Sequence, residues 1–324
     1  MMQLRRIFPH PLFLCLLLLA AFWLPLPLYV VSLALFGLPH VIWEMGFLRS
    51  RYAGRWPLRW WLALWAVLLA QAGIRGAVWL GTYPATSSQI VDLLSLLMLG
   101  MIVALAPSGI GWRARMAGLL MAGALLWLLE QGDVLTALLL LAILHNFTPL
   151  AMVWDMARDD RSGRADPGTR RLAWAISGLF ALPLLMAGSP WGGAIAPSMM
   201  AAYRPLLDGQ WPLAWGGTQR QALLSAVVLA QCLHYYCVIV LLPRAERRRT
   251  TRPVIFPAVR FGALTAAALM LAYYAHDYGG ARKLYAVAAG VHAWLEWPVL
   301  LMAFLCVGQR GEVGAGEVNR LRPD

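Results

Sequence analysis

Long apolar runs recur from Phe8 to Cys306, and no stretch between them is long or polar enough to make a soluble domain. Charged residues occupy only 13% of the 324 positions, against roughly 25% in an average soluble domain. A chain with so little polar surface cannot cover itself in water. A single-pass anchor is excluded too, because the apolar runs are many. The sequence therefore predicts an all-α, polytopic transmembrane bundle forming one integral membrane domain over residues 1–324. Its 16 Trp and 14 Met suit membrane interfaces and an adaptable apolar interior.

A hydrocarbon core of ~30 Å takes about 20 helical residues. The run from about residue 10 to 48 is too long for one span, and Pro25-Leu-Pro27 marks a turn within it. Spans are then expected near 8–24, 27–48, 58–80, 90–106, 113–131, 134–155, 171–188, 219–242, 254–275 and 283–307. That makes about ten helices, within a range of eight to ten. The N-terminal run also has the form of a signal peptide, with Arg5 and Arg6 ahead of a Leu-rich stretch, but it is expected to be retained as a helix. The link 189–218 is expected to be an outer loop, interfacial or re-entrant, and 308–324 a cytoplasmic tail.

The net charge of +12 would suggest nucleic acid in a soluble protein. In a membrane chain it orients the helices instead, because cytoplasmic loops hold the excess Lys and Arg. With ten spans, the arginines of 5–6, 49–59, 113–115, 158–171, 244–252 and 310–322 all fall on one side. Arg204, Arg220, Arg282 and Lys283 fall on the other, and Arg75 and Arg260 lie within spans. Both termini are thus expected in the cytoplasm, with no nucleic-acid partner. The four cysteines, Cys15, Cys232, Cys237 and Cys306, lack metal-type spacing and read as packing residues.

Against spans so clean, histidine stands out. Of six His, His10 and His276 fall at span ends. The other four lie within four different spans: His40 in Gly37-Leu-Pro-His, His145 in Leu144-His-Asn-Phe-Thr-Pro149, His234 in Gln231-Cys-Leu-His-Tyr-Tyr236 and His292 in Val291-His-Ala-Trp-Leu-Glu296. These are the second, sixth, eighth and tenth helices, which all run from outside to inside. Counting from the expected span starts, each imidazole lies roughly 14–22 Å below the outer face. One mid-membrane layer is expected.

Intramembrane His serves as an interhelical hydrogen-bonding residue, a proton carrier, a haem ligand or a metal ligand. Neutral imidazole binds iron, copper or zinc without burying a charge of its own. Four together favour a shared metal site made of His40, His145, His234 and His292. Glu44 and Glu296 each follow a His by four residues, on the same helix face, and can orient an imidazole, ligate metal or compensate its charge. With Tyr235 they are the expected catalytic residues. Asn146, Thr148, Gln231 and Tyr236 add polar groups near this layer. Arg75 is placed near the outer end of its span, with Gln71 one turn away and Asp92 as partner or helix cap.

The chain lacks the HxxxH and HxxHH clusters of membrane di-iron desaturases. Its Gly37-Leu-Pro-His40 segment, set in a polytopic chain with one intramembrane His on each of several helices, resembles the Brp/Blh family of bacterial membrane β-carotene cleavage dioxygenases. The likeness lies in Gly37–Glu44 and is architectural elsewhere. It implies a four-His non-haem Fe(II) centre and cleavage of a carotenoid or similar apolar polyene with O2. It also implies a bacterial cytoplasmic membrane as the location. Copper, zinc and haem remain open as cofactors. A proton- or metal-coupled transporter, or an assembly protein that holds a metal or haem, would use the same histidines.

Overall fold

The computed structural model describes residues 11–106, 112–131, 134–158, 167–188, 217–247 and 257–305, and every statement below concerns these residues. They form ten helical rods and no strand. The rods are α1 (Pro11–Trp23), α2 (Pro25–Tyr52), α3 (Leu58–Trp79), α4 (Ala85–Ala104) and α5 (Trp112–Glu130). Next come α6 in two pieces (Val134–His145 and Thr148–Arg158) and α7 (Pro167–Ala187). In α8, Gly217–Tyr236 continues through a π segment, Cys237–Leu241, into Leu242–Arg247; α9 (Pro257–His276) and α10 (Tyr278–Leu305) follow. Seven rods are long and apolar enough to cross a membrane, and the apolar windows of α1, α4 and α5 are shorter. The chain has the build of an integral membrane protein. The expected loop 189–218, but for its last two residues, and the expected tail 308–324 lie outside the described residues.

Several boundaries differ from expectation, each for a local reason. The break between α1 and α2 sits at Leu24, with φ −132° and ψ 46°, and Pro25 opens α2. Proline suits that position because the first helical N–H has no intrahelical acceptor to lose. The sixth span is not one straight helix but breaks at Asn146–Phe147. Proline at 149 has no N–H to give the His145 carbonyl, and the Thr148 hydroxyl donates to it instead at 2.8 Å. The last rod begins at Tyr278, five residues earlier than expected, directly after His276–Asp277.

Helices α2 and α10 form the centre. The first packs on α1, α8, α9 and α10, the second on α2 to α6 and α9. Close packing elsewhere comes from small residues: a Cβ on Gly118 of α5 would lie 2.9 Å from the Gly100 carbonyl oxygen of α4. Among the seven long spans, the four that carry the intramembrane His are the most enclosed. Their apolar windows are 67% (α8), 61% (α10), 44% (α2) and 44% (α6) buried, against 33% for α7, 22% for α3 and 17% for α9. The chain has put its chemistry on the helices it hides, and α9 turns Phe261, Leu264 and Leu269 outward as a lipid-facing wall.

Candidate metal centre

His40, His145, His234 and His292 converge. Together with Glu44 they offer ligand atoms that all lie within 4.8 Å of one another, and all five residues are buried. The Nε2 of His292 stands 3.1 Å from that of His40 and 3.0 Å from that of His145. Neighbouring ring centroids are 4.8–5.2 Å apart.

The orientation of two rings follows from helix geometry. His40 Nδ1 donates to the Phe36 carbonyl at 3.1 Å, and His292 Nδ1 to the Ala288 carbonyl at 3.3 Å, each one turn back. A neutral imidazole that donates from Nδ1 carries its lone pair on Nε2. Two such lone pairs, turned toward one another at 3.1 Å, repel unless something positive lies between them. Two donors about 2.1 Å from one metal are about 3.0 Å apart at right angles and about 3.4 Å apart in a tetrahedron. The observed Nε2–Nε2 edges match the right-angle value. Further, both carboxylate oxygens of Glu44 and of Glu296, both ring nitrogens of His234 and the Nδ1 of His145 are buried without a well-directed hydrogen bond. Buried polar atoms are almost always satisfied, and an ion is one of the few explanations when they are not. The residues present fit a metal.

The carboxylates do not serve the histidines their spacing suggested. Glu44 follows His40, yet its Oε2 lies 3.3 Å from His234 Nε2 and 3.6 Å from His292 Nε2. Glu296 follows His292, yet its Oε2 lies 2.8 Å from Nδ1 of His145. Both reach across to other helices. The ring of Tyr235 packs on His40 with centroids 4.3 Å apart, and its side chain is hydrogen-bonded to Tyr285. The other polar neighbours serve the scaffold: Asn146 donates to the Ala142 carbonyl, and Gln231 joins α8 to Ser32 of α2 at 3.1 Å.

Two ion-pair clusters flank the centre. On one side Arg75 of α3 pairs with Asp92 of α4, its Nε 2.9 Å from Oδ1, while Gln71 donates to the same oxygen and Arg75 Nη1 to the Ala286 carbonyl of α10. The expected Arg75–Asp92 partnership is therefore present. On the other side Asp155 of α6 receives Arg51 Nε at 2.7 Å and the Tyr52 hydroxyl at 3.0 Å, with Arg55 at 3.5 Å, and Glu246 of α8 lies 3.7 Å from Arg51. The sequence reading missed this second cluster, having counted Arg51 and Arg55 as loop charges. An acid within reach of an apolar span end, at Asp155, was the available signal.

These contacts fix relative direction. From the His layer to the Asp155 cluster the chain runs forward in α2, α6 and α8, and Glu296 follows His292 toward the same end. The four His-bearing helices are parallel. The registry is also matched. Arg51 follows His40 by eleven residues, about 1,100° or three turns of α-helix. Glu246 follows His234 by twelve, and the intervening π segment absorbs one extra residue in its wider turn. Asp155 follows His145 by ten, and the break at Asn146–Phe147 is made of tighter i→i+3 turns, Asn146 N–H to Ile143 O at 3.1 Å and Phe147 N–H to Leu144 O at 2.9 Å. One helix regular, one overwound and one underwound thus all reach the same cluster about three turns, or ~16 Å, beyond the histidines.

Compared with family models, with curated proteins and with solved structures, the chain finds no match.

Proposed function

We propose that this protein is a membrane-embedded non-haem iron oxygenase that acts on a carotenoid or similar apolar polyene with O2. The observation that carries the reading is the convergence of four buried imidazoles, with the Nε2 of His292 in contact with those of His40 and His145. Four nitrogen donors around one point leave no room for the macrocycle of a haem. They do suit a ferrous ion, which would supply O2 activation at positions the protein leaves open. The resemblance around Gly37–Glu44 points the same way.

The protein's own part is legible. Backbone carbonyls hold the His40 and His292 rings, and Glu296 Oε2 stands 2.8 Å from His145 Nδ1. A long apolar substrate enters laterally from the lipid, between helices. A transport path would string ionisable groups from face to face; here the flanking charges pair with one another, Arg75 with Asp92 and Arg51 with Asp155. The positive-inside rule puts the Asp155 end and both termini on the cytoplasmic side of a bacterial inner membrane.

The full-length protein purified in detergent is expected to hold about one iron per chain by elemental analysis, lost on changing His40, His145, His234 or His292 to Ala. A wild-type protein free of transition metal would sink the centre. In carotenoid-producing bacteria, expression is expected to bleach the yellow-orange colour. A folded, iron-loaded protein that leaves the colour intact would refute carotenoid cleavage while sparing the metal site.

A further inference from the structure

Resting on that metal centre, the two glutamates divide into unlike roles. A ligating imidazole has a front nitrogen that meets the metal and a back nitrogen whose N–H is held by something else. Glu44 Oε2 stands among front nitrogens, 3.3 Å from His234 Nε2 and 3.6 Å from His292 Nε2. Glu296 Oε2 stands at a back nitrogen, 2.8 Å from His145 Nδ1, while His145 Nε2 faces His292 at 3.0 Å. We infer that Glu44 is a fifth protein ligand, and that Glu296 is a positioning residue that orients His145 through its rear N–H.

Charge supports the division. Four neutral imidazoles contribute none, so a divalent cation bound by them alone would leave +2 in a dry interior, which is costly. One ligating and one rear carboxylate bring a divalent centre to neutrality. The same pair would leave a monovalent ion with an excess negative charge. The site is thereby matched to a divalent cation, with five protein donors instead of four.

Cobalt(II) substitution tests this without relying on turnover, because four-coordinate cobalt absorbs far more strongly in the visible than five- or six-coordinate cobalt. The wild-type protein loaded with Co2+ is expected to show the weak bands of the higher coordination number. Glu44→Gln is expected to change band positions and intensity, and to weaken Co2+ binding by more than 100-fold. Glu296→Gln is expected to keep the wild-type band pattern and weaken binding by roughly 10–100-fold, as loss of a rear carboxylate does. A Glu44→Gln protein with the wild-type spectrum and affinity would overturn the assignment. So would strong four-coordinate bands in the wild type, a result that needs no variant to fold. Wild-type protein that takes up neither Co2+ nor iron would instead overturn the metal centre as a whole.

Discussion

A single side chain, Thr148, shows how closely the site depends on local repair. Proline at 149 leaves the His145 carbonyl without its helical donor, and the Thr148 hydroxyl takes over at 2.8 Å. Thr148→Val keeps the shape and removes the donor. A loss of about 1–3 kcal/mol is expected, read as a lower melting temperature in detergent, because the carbonyl is then left unsatisfied in the interior. The four histidines were legible as a set because nothing else polar recurs at that depth. Their carboxylate partners were not. Spacing along one helix assigned Glu44 to His40 and Glu296 to His292, whereas packing between helices hands them to His234, His292 and His145. An i, i+4 pair shares a face, but a shared face points both residues at the neighbouring helix as readily as at each other.

Among the helices, the lengths of the apolar runs gave ten helices in their order, seven of which are long and apolar enough to span, and missed their irregularities. The overwound break in α6 was partly announced by Pro149, whereas the π segment of α8 has no proline within it and follows from the partners it must reach. Asp155 ties three helix ends together, and Asp155→Asn removes the carboxylate charge that faces buried Arg51. With Glu246 still near Arg51, a cost of about 3 kcal/mol is expected, at the low end for a broken buried pair, measurable as reduced thermal stability. Glycine provides a sharper contrast within α5. A Cβ at Gly118 meets backbone atoms, the Gly100 oxygen at 2.9 Å and the Ala104 nitrogen at 3.0 Å, while one at Gly123 meets nothing within 4 Å. Gly118→Ala is expected to destabilise by about 1–3 kcal/mol as an overpacked contact. Gly123→Ala is expected to leave the melting temperature unchanged or slightly raised.

For the molecule as a whole, the arginine distribution gives a topology that labelling can check. In a background with Cys15, Cys232, Cys237 and Cys306 replaced, Gly54→Cys is expected to react with a membrane-impermeant thiol reagent only after the membrane is opened, and Thr82→Cys in intact cells. The reverse pattern would invert the orientation. Depth follows from the same geometry: if the Asp155 cluster marks one interface, ~16 Å of helix places the histidines near the middle of a ~30 Å core. The span arithmetic of the sequence leads to the same expectation, because depth needs only rise per residue. The enclosure of the four His-bearing helices follows from the same chemistry, since helices with polar residues are the ones lipid would reject.

The Nε2 of His292 meets those of both His40 and His145, across 252 and 147 positions of sequence. It sits on α10, the last to be synthesised of the ten described helices. A nascent chain that ends before α10 therefore holds at most the other three rings. The order of synthesis makes metal binding a report on the docking of α10: the centre closes when that helix arrives, and the ion then fastens it to α2, α6 and α8, made before it.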